Sequence, residues 1–126
     1  MNSRQLGIFG ERIALDYLKN KGYQILDRNY SNKFVSGPGR GEIDIIAKKD
    51  DIISFVEVKA LTSDEIIRPE EKVDYLKQRK LIKTAQGWLI KKKTPLNSKW
   101  QIDVISIKIN QILKKAKIRH FQNAVF

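Results

Sequence analysis

The sequence predicts one α/β domain, an α+β sandwich in which a mixed sheet is covered by helices on both sides. Three observations predict it. Two long stretches, Ser3–Lys21 and a second from about Pro69 to Lys92, repeat apolar residues at helical spacing. Short stretches rich in Ile, Val, Tyr and Phe accompany them: Tyr23–Tyr30, Glu42–Ala47, Ile52–Ala60, Lys99–Ile109 and a candidate fifth at Lys117–Phe121. The two central stretches are apolar at odd and even positions alike, as in a sheet buried on both faces.

Each element has its own signals. In the first helix Ser3 reads as the N-cap and Gly22 as the stop, with Leu6, Phe9, Ile13, Ala14, Tyr17 and Leu18 on the core-facing stripe. YQILDRNY follows as a mixed strand, then SNKFVSGPGRG as a Gly- and Ser-rich loop with Pro38 at its centre. GEIDIIA and IISFVEVKA form a hairpin joined through KKDD, Lys48 to Asp51. Leu61–Arg68 reads as a loop. The second helix opens at Pro69, a favoured first helical residue; Glu70 and Glu71 suit its positive end, and Lys91, Lys92 and Lys93 its negative end. Pro95 and Asn97 mark the loop before KWQIDVISIKI. The order is therefore helix, three strands, helix, then one or two strands. No repeat or linker divides residues 1–126.

Composition narrows the functional classes. The chain has 126 residues, 41% hydrophobic and 31% charged, an ordinary globular balance. It has no cysteine, so disulfides, thiolate metal sites and cysteine nucleophiles are excluded. The N-terminal stretch carries Glu11 and Asp16 and no unbroken apolar run, unlike a signal peptide. No window approaches the ~18 apolar residues of a membrane helix, so a cytoplasmic protein without a membrane partner is expected. Twenty-five Lys and Arg against fourteen Asp and Glu give a net charge of +11. With a pI near 9.9, that is the electrostatic footprint of a nucleic-acid binder.

Against this background the charges inside the hairpin stand out. A four-residue KKDD connection sets Ala47 opposite Ile52, Asp44 opposite Phe55 and Glu42 opposite Glu57. Glu42, Asp44, Glu57 and Lys59 then share one face with Ile46, Ile53 and Phe55, and Ile43 and Ile45 lie on the other. Asp44 and Glu57 become diagonal neighbours roughly 7–8 Å apart, close enough for both carboxylates to reach one hard cation. The residues alone leave two readings open, a functional cluster or a structural ion-pair network. Glu11 lies at the margin of the first helix's apolar stripe. Lys77 falls among Val73, Leu81, Ala85 and Trp88, either snorkelling or aimed at an anionic ligand. Trp88 reads as core, and His120 as structural.

Taken together, GER-x-A-x-x-YL, a short strand ending in RN, GEIDIIA, FVEVK, a Pro-led helix with V-x-x-x-K, DVISI and the tail IRHFQNAVF resemble the YraN family of small bacterial proteins. The likeness spans nearly the whole chain. It implies a restriction-endonuclease-like core of the PD-(D/E)xK nuclease superfamily, similar to archaeal Holliday-junction resolvases. It further implies Mg²⁺ (or Mn²⁺) held by Asp44 and Glu57, with Glu11 approaching the metal. Lys59 would stand beside the attacking water, and Lys77, with Gln78, would reach the site from the second helix. The expected function is metal-dependent endonuclease action on DNA, including branched or structured substrates. The alternative is a non-catalytic nucleic-acid-binding accessory protein on a nuclease-like fold. Arg40, Arg68, Lys72, Lys80, Lys83 and Lys91 are the expected backbone contacts, and the resolvase analogy suggests a homodimer. Two departures are visible: Ile43 replaces the motif's proline, and Ala60, Leu61 and Thr62 follow Lys59 where many relatives place an arginine.

Overall fold

The structure, a computed structural model, describes residues 1–31, 41–62 and 75–125. The expected loop around Pro38 and the helix start at Pro69 lie outside the described residues, as do Arg40, Arg68, Lys72 and Val73. Seven elements follow in order: α1 (Ser3–Asn20), β1 (Gln24–Ser31), β2 (Glu42–Lys49), β3 (Ile52–Thr62), α2 (Tyr75–Lys91), β4 (Lys99–Asn110) and β5 (Lys115–Val125).

The cap of α1 is Asn2 rather than Ser3. Its side chain accepts the Gln5 N–H at 2.9 Å, while Gln5 Oε1 accepts the Asn2 N–H at 3.0 Å. This reciprocal capping box satisfies two donors that the first turn would otherwise leave open, and Ser3 offers no such pair. The helix ends where Gly22 takes φ 92°, a backbone state costly for any side chain.

The five strands form one sheet in the order β1-β2-β3-β4-β5. Only β3 and β4 run parallel, and α2 is the connection between them, as a parallel crossover requires. The other neighbours are antiparallel, giving the expected mixed sheet. β5 is longer than its sequence pattern suggested. Its outward positions are Lys115, Lys117 and Arg119, charges suited to an edge strand but weak as a strand signal.

The central hairpin corrects the expected register. Its turn is two residues long, not four: Asp50 and Asp51 both have positive φ, 51° and 64°, as a type I′ turn demands. Lys49 therefore faces Ile52, and Ile45 faces Val56. A slip of two residues preserves strand parity, so the paired residues Ile45–Lys49 and Ile52–Val56 keep their predicted sides. It also brings Asp44 from its expected place opposite Phe55 to abreast of Glu57, one step beyond the last formed pair.

Each face of the sheet carries one helix. On one side Ala14, Leu15 and Leu18 of α1 pack on Ile45, Ala47, Val56, Ile105, Ile107 and Ile109. On the other, Leu81, Ala85 and Trp88 of α2 pack on Ile43, Ile46, Phe55, Ile102 and Val104. Phe55 anchors the second layer, edge-on to Trp88 and Trp100 with ring centres 5.7 Å away in each case. Ile43 was expected beside Ile45 but packs with Ile46. Strand alternation therefore breaks across Asp44. Opposite this point, between the pairs Tyr30–Ile43 and Arg28–Ile45, Asn29 takes φ 49°.

Candidate active site

Beyond Ile45–Val56 no pair joins β2 to β3, and the break at Asp44 falls at this end of the ladder, the cleft between the two strands. The Asp44 carboxylate bridges it, with Oδ2 accepting the Val58 N–H at 2.7 Å. Glu57, on β3 and almost fully buried, points to the α2 side, where its Oε1 meets Lys77 Nζ at 2.8 Å and Lys59 Nζ at 3.4 Å. Thus Asp44, Glu57, Lys59 and Lys77 come together as the sequence suggested, from β2, β3 and α2.

Glu11 approaches from α1. Its Oε1 is buried and has no hydrogen-bond partner, the one such side-chain atom among the described residues. Arg28 of β1 stands 3.8 Å away, beyond hydrogen-bonding distance. Arg28 belongs to the RN pair of the motif, which carried no assigned role. Its proximity to Glu11 became visible only once β1 and α1 were docked.

Electrostatics set Asp44 and the two lysines apart. Burial pushes the Asp44 carboxyl up to about 7; the charges of Glu57, Glu11 and Glu42 add to this, against the lowering effect of the Val58 hydrogen bond. Lys59 is lowered, chiefly by burial and then by Lys77 beside it. Lys77 goes the other way. Burial pulls it down, but its hydrogen bonds to Glu57 and Lys59 and the Glu57 charge outweigh that and leave it raised.

Two lysines thus answer Glu57, and Arg28 stands at ion-pair distance from Glu11 without closing a hydrogen bond to its buried oxygen. An orphaned carboxylate oxygen and an all-oxygen donor set suit a hard divalent cation. Among the described residues no three of His, Cys, Asp or Glu group as metal ligands, so a closed protein cage is absent there. The donor set fits Mg²⁺ in its usual form, in which one or two carboxylates bind and water or substrate oxygens complete the shell. Asp44 and Glu57 are the carboxylates that could offer it oxygens.

Two glycines set the helices against this cleft. A Cβ on Gly10 would lie 2.7 Å from the Ala60 Cβ, so α1 can rest on β3 only with glycine there, placing Glu11 beside the strand that carries Lys59. A Cβ on Gly41 would collide with Thr84 Oγ1 and sit 2.9 Å from the Lys80 carbonyl oxygen, so glycine lets α2 close over the start of β2. Both precede a glutamate, in GER and GEID. That repeated pairing was the signal available in the sequence, although it gave no hint of what each glycine touches.

Residues 10–107 match the profile described as "Uncharacterised protein family UPF0102". A UPF0102 protein of Alkaliphilus oremlandii is 40% identical over 122 residues, covering 97% of this chain and 98% of the relative. The chain belongs to the UPF0102 (YraN) family. UPF0102 proteins of Clostridium botulinum strains Hall and Kyoto are 40% and 39% identical over 122 residues, covering 97% of this chain and 94% of theirs.

In this UPF0102 chain a second polar cluster lies on the α1 side of the sheet. Asp103 of β4 is fully buried, and its oxygens accept from Gln101 Nε2 at 3.0 Å and the Asn123 N–H at 2.9 Å. His120 Nε2 lies 2.8 Å from Asp103 Oδ2, and His120 Nδ1 lies 3.3 Å from the Tyr17 hydroxyl. The cluster ties β5 and α1 to β4. The structural reading of His120 agrees with this, and the D of DVISI gains a specific role. Trp88 is core, as expected, with its indole N–H donating to Asp27 Oδ2 at 3.2 Å. No described helix is long and apolar enough to cross a membrane.

Proposed function

We propose that this chain is a metal-dependent endonuclease that hydrolyses phosphodiester bonds in DNA. The observation carrying the proposal is the convergence of Asp44, Glu57, Lys59 and Lys77 where β2 and β3 part. Asp44 and Glu57 would hold Mg²⁺ or Mn²⁺, with Glu11 in reach as a further carboxylate. When bound, the cation polarises the phosphate and acidifies a coordinated water. Lys59 orients the attacking water, and Lys77 faces the charge that grows on the phosphate oxygens. The amide of Val58 holds one oxygen of the Asp44 carboxylate in place.

A second reading, a nucleic-acid-binding accessory protein without turnover, has its own supporting observation. Glu57 is already answered by two lysines, which is how a structural ion-pair network looks. The two readings separate in one assay: labelled duplex, flap and four-way-junction DNA with Mg²⁺ or Mn²⁺, beside EDTA and Asp44→Ala. The nuclease reading expects metal-dependent cutting that Asp44→Ala abolishes while binding survives. Binding without cutting on every substrate refutes it in favour of the accessory role.

A further inference from the structure

The net charge of this chain is strongly segregated. From Tyr75 to Phe126 there are thirteen Lys and Arg and one acid, Asp103, which is fully buried in its own hydrogen-bond network. The excess positive charge therefore resides on α2, β4 and β5. Register locates part of it. Glu57, Lys59 and Leu61 of β3 lie beside Val104, Ser106 and Lys108 of β4. Those three in turn lie beside Phe121, Arg119 and Lys117 of β5.

Packing fixes the face. Val104 and Phe121 belong to the α2-side core, whereas Ile105, Ile107, Ile109 and Ile118 belong to the α1-side core. Lys108, Lys117 and Arg119 consequently share the face of Glu57 and Lys59, and all three are exposed. Lys115 continues the same row toward the hairpin tip, opposite Asn110. Arg119 lies in the row of Lys59, two strand spacings or about 10 Å from it. Its guanidinium sits 4.9 Å from the centre of the Phe121 ring, which supports it from the side of the Glu57 row.

One feature sets this patch apart from a merely soluble surface. Lys108 and Lys117 are directly opposed across the ladder, a like-charge pairing that destabilises a sheet. No acidic residue lies within β5 or on the exposed face of β4 to relieve it. A polyanion laid along the row would.

We propose that Arg119, Lys117 and Lys108, continued by Lys115, form a track that holds the sugar-phosphate backbone of DNA as it leaves the Asp44/Glu57 cleft. The inference rests on the nuclease reading for its direction, but its surface is distinct from the cleft. Phosphate contacts of this kind position a strand without reading its sequence.

The test uses the full chain in EDTA, so that binding is measured without cleavage. Labelled single-stranded and duplex DNA are titrated across a salt series. The triple variant Lys108→Ala/Lys117→Ala/Arg119→Ala is compared with a charge-matched control, Lys19→Ala/Lys21→Ala/Lys48→Ala, also exposed. Three lost phosphate contacts lower the slope of log K against log salt by about 2 on single strands and about 2.7 on duplex. The control should leave the slope nearly unchanged. Equal losses in both triples, or binding by wild type to anionic vesicles but not to DNA, overturns the track. Stronger dependence on the track for RNA than for DNA would overturn the choice of polymer. Wild type that binds through the track yet cuts nothing in Mg²⁺ refutes the nuclease reading and leaves the track standing. Cutting that the track variant performs at wild-type affinity does the reverse.

Discussion

Asp44 offers the most direct test of the cleft. Its carboxyl is pushed up to about 7 by burial and by the neighbouring Glu57, Glu11 and Glu42, from an ordinary value of 3.8 in the unfolded chain. Between those two values the folded protein holds a proton that the unfolded chain has released. The native state is therefore favoured by this group below about pH 4, and that contribution is lost as pH rises through about 7. Working the linkage between pH 5 and pH 7 gives a loss of up to about 2 kcal/mol. For a domain of this size that is about 8 °C in Tm. Asp44→Asn keeps an oxygen for the Val58 amide but removes the titration, so its Tm should be nearly flat where the wild type falls. Thermal unfolding of both proteins from pH 5 to pH 7 in EDTA, read as the difference between them, isolates this residue from every other titrating group. Mg²⁺ at ten times its dissociation constant should then return about 1.4 kcal/mol to the wild type at pH 7 and little to Asp44→Asn. Parallel Tm curves for the two proteins would refute the argument, because they would mean that crowding does not resist the Asp44 charge.

Two further outcomes follow from packing. Gly41→Ala drives a methyl into Thr84 Oγ1 and the Lys80 carbonyl, so it should cost about 1–3 kcal/mol by chemical denaturation and displace α2 from the cleft, weakening any metal-dependent activity; a neutral result would mean that α2 is free to shift. Asp103→Ala strips Gln101, His120 and the Asn123 amide of their acceptor and should cost about 3–5 kcal/mol, with β5 amides losing hydrogen-exchange protection first; uniform loss across the sheet would argue against Asp103 as the tie between β4 and β5.

Much of this protein was legible along the chain because the information is local. Periodicity fixed the helices, β-branched runs fixed the strands, and apolar residues at odd and even positions of the central pair required a helix on each face. The grouping of Asp44, Glu57 and Lys59 on one side survived even a wrong turn length, since a slip of two residues preserves strand parity. The tertiary structure decided what depends on distance. The two-residue Asp50–Asp51 turn set Asp44 abreast of Glu57, and the break in alternation at Asp44 moved Ile43 to the other core. Docking of α1 left the Glu11 oxygen unanswered beside Arg28, and the close approaches at Gly10 and Gly41 placed both helices. The opposition of Lys108 and Lys117 and the burial of Asp103 against His120 arise between residues far apart in the chain. Sequence periodicity reports which way a side chain points. Only packing determines what it meets there, and the chemistry of charged groups is set by what they meet.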